Sequence, residues 1–391
     1  MIIGVDIRHL LASQEGGIAQ YTVCLLDKLI EKFPASTFKL FYSGRKISAI
    51  AKRWEEKNNV VIRHLKLPNR FLDPAFKFLS YPKIDQLIGG LDVFLSPHFL
   101  LTPLSVACPR VLVIHDLSFE RFPGFFSHRD LLWQNFMHPK SQAQHADAII
   151  SVSGSTRRDL MAIWGIDGGK IKVVYPGIGF ISDGRKNNIQ EHEKIIKKYS
   201  LPENFILALS VIEPRKNYNG LIMAFELFDE ISFPKNKNIS LVIAGPKPKS
   251  AREVVLAVGR SKLRDRIFLP GFIDEADKAC LYAAARIFVY PSFFEGFGFP
   301  PLEAMALGTP TVVSNRSSLP EIVGDAAIAI DPHNISEMAR IMAELFADDN
   351  VRNILSEKGK IKALEYEWGR TAEQIYGILE GVVNKKQGYV Y

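Results

Sequence analysis

The chain has 391 residues, 47% of them apolar, enough for two domains with full cores. No uncharged apolar run reaches the ~18 residues of a membrane span. Cys24, Cys108 and Cys280 are its only cysteines, an odd and scattered set that fits no disulfide framework or zinc spacing, so a reducing cytosol is expected. The net charge of +7 lies in the first half: residues 1–175 carry 22 Lys and Arg against 15 Asp and Glu, residues 176–391 carry 27 against 27. A basic first half suits an anionic acceptor or an anionic membrane surface, or serves solubility alone. No compact Lys/Arg cluster interleaved with aromatics points to nucleic acid.

MIIGVDI at the N-terminus lacks the basic start and cleavage site of a signal peptide and reads as a first strand. Apolar strand candidates follow in TFKLFYS, NVVIRHL, LDVFLSP, RVLVIHD, DAIISVS and IKVVYPG, with helical patterns between them such as Ile18–Phe33 and Thr156–Trp164. Asn69–Tyr81 (NRFLDPAFKFLSY) mixes Arg, Lys and four aromatics. It is either a helix packed on the sheet, a membrane-docking segment or a site for a lipid-linked acceptor. A polar stretch, Ser182–Tyr199, then gives way to a second series: NFILALS, SLVIAGP, RIFLPGF, RIFVYPS, TPTVVSN and AIAIDP. Alternating strands and helices imply α/β units with parallel sheets. The expected organisation is a domain over 1–180, a linker over 181–200, a second domain over 201–366 and a C-terminal helix in 367–391 that returns to the first. Two doubly wound domains would face a central cleft, with chemistry in the loops after the strands.

Residues 289–308, VYPSFFEGFGFPPLEAMALG, carry the most chemical information. An apolar run ends in Pro291-Ser292, and a turn with Glu295, Gly296 and Gly298 leads into a helix opened by Pro300 and Pro301 and closed by Gly308. Backbone N–H groups at such a helix start form an anion site. Glu295 and Glu303 bracket it, which suits hydroxyls, and a ligand with both phosphates and hydroxyls is a nucleotide sugar. The dinucleotide fingerprint fails here, because its third glycine is Pro301 and the next strand ends in Asn315 rather than an acidic residue. No glycine turn is followed by Lys-Ser or Lys-Thr, so a Walker A loop is absent as well.

EGFGFPPLE, with its two glutamates eight apart, resembles the E-x7-E motif of retaining glycosyltransferases of family 4, which have the GT-B fold. Further segments match that family in order. GGIAQYT resembles its N-terminal glycine loop, VIHDLSF its His-Asp strand end, ISVSGSTRRDL its serine loop and IEPRKN its basic pair. SSLPEIVGDAA and EWGRTAEQIY complete the series. The likeness spans nearly the whole chain and is greatest to bacterial mannosyltransferases that build O-antigens and exopolysaccharides from GDP-mannose. One departure is Ser210-Val211 where the wider family has Gly-Arg; Arg215, beside Lys216, is expected to supply that second charge.

The resemblance implies the following roles. Arg215 and Lys216 neutralise the leaving diphosphate, doing the work of a metal. Glu303, placed in the first turn of its helix, holds the ribose hydroxyls, and Glu295 the hydroxyls of the sugar, helped by the backbone of Gly296, Phe297, Gly298 and Phe299. His115 touches the transferred sugar, with Asp116 orienting it or stabilising the loop. Gly16 and Gly17 close over the donor diphosphate and the acceptor. Phe272 and Ile273 contact the base, and Ser153 belongs to the acceptor side. Two carboxylates could suggest a glycosidase pair, but both would lie around the donor's hydroxyls rather than flank a glycosidic bond. The expectation is a metal-independent retaining hexosyltransferase without a cofactor. Its donor would be a nucleotide sugar, most simply GDP-mannose, and its acceptor a free or lipid-linked saccharide. It would act in the cytoplasm or against the inner face of the membrane. The alternatives are a nucleotide-sugar epimerase of the same architecture, a transferase using GDP-rhamnose or a UDP-sugar, and a noncatalytic partner in a polysaccharide-assembly complex.

Overall fold

The computed structural model describes residues 1–12, 16–44, 49–179, 189–232, 238–386 and 388. The chain divides into two units, residues 1–177 with 367–391, and residues 178–366. In the first unit seven parallel strands form one sheet: β1 (Ile2–Asp6), β2 (Thr37–Ser43), β3 (Val60–Leu65), β4 (Val93–Ser96), β5 (Arg110–Ile114), β6 (Ala148–Ser151) and β7 (Ile171–Val173), in the order β3-β2-β1-β4-β5-β6-β7. The second unit has six: β8 (Phe205–Leu209), β9 (Ser240–Ala244), β10 (Ile267–Gly271), β11 (Ile287–Tyr290), β12 (Thr311–Ser314) and β13 (Ile328–Ile330), in the order β10-β9-β8-β11-β12-β13. Each of the thirteen segments read as strands holds one.

The strands are near-continuous runs of Val, Ile, Leu and Phe because both faces of a parallel sheet are covered by helices. In the second unit Ile206, Leu241, Ile243 and Val289 pack with Leu221, Phe225, Phe228 and Met342 from the helices Tyr218–Ser232 and Ile335–Ala347. In the first, Leu112, Ile114 and Ile149 pack with Leu160 and Trp164 of the helix Gly154–Trp164. Both sheets reverse strand order at their centre, between β1 and β4 and between β8 and β11. In open α/β sheets ligands bind at such a reversal, outside the carboxyl ends of the strands.

The last helix, Trp368–Lys386, packs on the helix Gly17–Lys32, with the Phe33 and Tyr376 rings stacked 3.7 Å apart. Of the expected linker, residues 181–188 lie outside those described. The remainder is not an extended connection: Ile189–Lys198 is a helix of the second unit, set against the helix Glu275–Ala284 and held there by Lys198 to Asp274 and Asp277. The charge-rich composition that suggested a linker is that of its solvated face. Cys108 and Cys280 are buried, Cys24 half-buried, and all three are free thiols.

Candidate active site

At the reversal of the second sheet, the loops after β8 and β11 are joined. β8 runs into a short 3-10 turn, Pro214–Lys216, that ends on Asn217 in the left-handed region (φ 56°). The Asn217 amide fixes this turn by donating to the Pro332 carbonyl at 2.7 Å. The turn is tied to the β11 loop by the Phe293 N–H, which donates to the Arg215 carbonyl at 2.9 Å. The Glu295 N–H donates to Ser317 Oγ at 2.8 Å, and Ser318 Oγ lies 3.0 and 2.7 Å from the carbonyls of Glu295 and Phe297.

These constraints bring Arg215, Lys216 and Glu295 into one ion group. Lys216 Nζ donates to Glu295 Oε1 at 2.6 Å and to the Tyr290 hydroxyl at 2.7 Å. Arg215 Nη1 donates to Glu295 Oε2 at 2.8 Å and to the Phe294 carbonyl at 2.7 Å, while its Nη2 reaches Glu213 at 2.6 Å. Lys216 and Glu295 are buried. Burial would raise the Glu295 carboxyl, but the charges of Arg215 and Lys216 outweigh it and hold the group down at about 2. Burial and the Arg215 charge draw Lys216 below the usual lysine range, against the pull of Glu295. The expectation gave Glu295 to ligand hydroxyls; here each of its oxygens meets one cation, an arrangement that holds Arg215 and Lys216 side by side. Two cations fixed in advance can stabilise charge developing on an anion without reorganising.

Glu303 departs from its expected position. The helix spans Phe299–Ala306, so Glu303 is its fifth residue, beyond the first turn where the macrodipole would favour a carboxylate. It is buried instead, and its Oε2 accepts from the Tyr282 hydroxyl at 2.9 Å. The helix start is also poorer in donors than the motif suggested, since Pro300 and Pro301 have no N–H among its first four residues. Gly298 caps it with φ 115°, and a Cβ there would stand 2.7 Å from Leu319. Phe297 is buried, its ring edge-on to Phe299 and Tyr366, so its side chain belongs to the core and only its backbone could serve a ligand. Phe272 is exposed at the end of β10 and Ile273 is buried.

In the first unit, His115 follows β5. Its Nε2–H donates to the Pro97 carbonyl at 2.8 Å, the Tyr21 ring stands edge-on to it at 4.8 Å, and burial lowers its basicity. Asp116 does not orient it: Asp116 Oδ1 accepts from the N–H and hydroxyl of Ser118 at 2.8 and 2.6 Å, which leaves loop stabilisation as its role. Ser153 is buried and caps the helix Gly154–Trp164, accepting from the Thr156 N–H at 3.1 Å. Since Thr156 Oγ1 in turn donates to the His115 carbonyl, Ser153 braces His115 rather than facing a ligand. Gly16 has φ 108° and no atom within 4 Å of a would-be Cβ, so backbone conformation, not crowding, calls for glycine; Gly17 opens the helix Gly17–Lys32.

Sequence reasoning missed a buried network beside β1. Arg8 is 1% exposed, paired with Asp6 at 2.7 Å and bonded to Thr102 and the Leu101 carbonyl. Arginine reads as a surface residue in sequence, and only the Asp-x-Arg spacing could have signalled it. Among the described residues no three His, Cys, Asp or Glu side chains group as metal ligands, and no helix is long and apolar enough to cross a membrane.

Comparison with known proteins places these features. The family model described as Glycosyltransferase Family 4 matches residues 16–179, and that described as Glycosyl transferases group 1 matches residues 190–362. The O-antigen chain mannosyltransferase B of Escherichia coli is 28% identical over 385 residues, covering 92% of this chain and 94% of that protein. The serotype-specific mannosyltransferase WbdA of Escherichia coli is 30% identical over 274 residues, 68% of this chain but 33% of WbdA. Among solved structures, a glycosyltransferase from Rickettsia africae superposes with a TM-score of 0.73 at 16% identity, over 98% of each chain. Anabaena HepE in complex with UDP-glucose superposes with a TM-score of 0.72 at 19% identity, over 97% of this chain and all of HepE.

Proposed function

The chain belongs to the family 4 glycosyltransferases of GT-B fold, and on that premise we propose that it transfers mannose from GDP-mannose to a saccharide hydroxyl with retention of configuration. The observation that carries this reading is the Arg215–Glu295–Lys216 group at the strand reversal of the second unit. The named activity of the relatives favours mannose. In the proposed reaction the bond from the sugar's anomeric carbon to the diphosphate oxygen breaks. The acceptor oxygen bonds to that carbon on the same face, and its proton passes to the departing diphosphate. Lys216 and Arg215 stabilise the charge released on the diphosphate, and no metal is needed for that task. Glu303 and the backbone of Gly296 and Gly298 hold donor hydroxyls, Phe272 and Ile273 border the base, and His115 contacts the transferred sugar as a neutral imidazole. Gly16 and Gly17 cover the diphosphate.

The proposed setting is the cytosolic face of a membrane, with a lipid-linked acceptor. The helix Asn69–Leu79 buries Leu72 and Phe76 on one side, yet turns Phe71 and Phe78 outward, with Leu79 and Tyr81 exposed beyond them. Arg70 and Lys77 flank this surface, an arrangement suited to anionic headgroups over acyl chains.

A thermal-shift panel of GDP-, UDP-, ADP- and TDP-sugars tests the donor. At 100 times its Kd a ligand adds roughly 2.7 kcal/mol of stability, so GDP-mannose should give the largest shift. A larger shift with a UDP-sugar, or none with any donor, contradicts the reading.

A further inference from the structure

The first unit has its own strand reversal, between β1 and β4, and two histidines occupy it: His9 just after β1 and His98 just after β4. His9 Nε2 lies 2.8 Å from Thr22 Oγ1, which itself lies 2.9 Å from the Ile18 carbonyl. In the tautomer that satisfies both contacts Nε2 carries the hydrogen and donates it, which leaves Nδ1 a bare lone pair. Burial holds the His9 ring neutral, its pKa lowered to about 4. His9 Nδ1 and His98 Nδ1 are both buried with no hydrogen-bond partner among the described residues, as is the Tyr21 hydroxyl. Buried polar atoms are nearly always paired, so several unpaired ones in this region point to an absent polar partner, one that offers the bare His9 Nδ1 a hydrogen as donor.

The surroundings narrow what that donor is. The His9 and His98 rings stack 5.8 Å apart, and His98 leans on Phe99 at 4.3 Å and Trp133 at 6.1 Å. Trp133 is 40% exposed, so this row of rings leads from the half-buried imidazoles to the surface. A lone-pair acceptor rejects phosphate and carboxylate and takes a hydroxyl, while aromatic faces suit the C–H face of a sugar ring. We propose that His9 and His98, with Phe99 and Trp133, form a subsite for the acceptor saccharide in which His9 Nδ1 accepts a hydrogen bond from a sugar hydroxyl. The identity of the ligand as acceptor rests on the transferase reading above; the subsite itself rests on the geometry of the first unit.

Two substitutions separate binding from scaffolding. In His9→Gln the amide reaches where Nε2 was and keeps the Thr22 contact, but nothing replaces Nδ1; in His9→Asn the amide oxygen stands near the Nδ1 position and the Thr22 contact is lost. With GDP-mannose as donor and α-mannotriose as acceptor, His9→Gln should raise the KM for mannotriose by ~10-fold or more with the donor KM within ~2-fold, and His9→Asn should return it to within ~3-fold of wild type. Any other ordering, above all a normal His9→Gln with an impaired His9→Asn, overturns the subsite. Calorimetric titration of mannotriose in the presence of GDP reads the same ordering without turnover. An inactive wild type that still binds mannotriose through His9 would sink the donor reading and leave the subsite standing; wild type that fails to bind mannotriose overturns the subsite.

Discussion

Replacing Glu295 by Gln keeps the shape of the side chain and removes the charge between Lys216 and Arg215. The carboxyl sits at about 2 against an ordinary 4.5. At ~1.4 kcal/mol per unit, folding favours its ionised form by about 3 kcal/mol. A depressed carboxylate stabilises the fold fully above its unfolded value of 4.5 and loses that contribution as pH falls toward the folded value of about 2. Since Gln imitates the protonated acid, Glu295→Gln should be destabilised by about 3 kcal/mol at pH 7 and by about half that at pH 3. For a unit of this size that is a fall of roughly 6–12 °C in Tm at pH 7. Scanning calorimetry of both proteins at pH 7, 4 and 3 reads the gap directly. A variant as stable as wild type at pH 7, or a gap that does not shrink between pH 7 and 3, refutes the assignment of Glu295 as the ionised partner of the two cations.

His115→Ala should lower turnover more than ~10-fold with the donor's affinity nearly unchanged, because it removes a contact proposed to tighten in the transition state; steady-state kinetics with GDP-mannose checks this. EDTA should leave transfer intact, and complete loss restored only by a divalent ion would contradict the role given to Lys216 and Arg215. Phe71→Ser with Phe78→Ser should cut co-sedimentation with phosphatidylglycerol vesicles several-fold while leaving transfer to soluble mannotriose intact, since it removes the apolar part of the exposed surface; equal binding by both proteins would set aside that docking segment.

Much of the fold was legible in sequence because buried parallel strands are written as apolar runs bounded by turn residues, and all thirteen could be located from such runs. What lies around the site was not. Nothing local shows that Lys216 and Glu295, 79 positions apart, share a hydrogen bond, or that a lysine there is buried; the β8–β11 adjacency decides both. Glu303 was misplaced by one residue, enough to move it out of the first turn, because helix boundaries depend on where hydrogen bonding begins, and two prolines obscure that point. Ser153 looked like a cleft residue, yet its side chain faces the helix it caps. His9 and His98 drew no attention, since a histidine's meaning lies in which of its nitrogens is occupied, and that is set by Thr22 and by partners distant in sequence.

The central claim is tested most directly by incubating the protein with GDP-mannose and α-mannotriose, with and without Lys216→Ala, and recording the NMR spectrum of the product. The account predicts a tetrasaccharide whose new linkage keeps the α configuration of the donor, formed by wild type and at least ~10-fold more slowly by Lys216→Ala. A β-linked product, free mannose alone, or equal rates for the two proteins would contradict it.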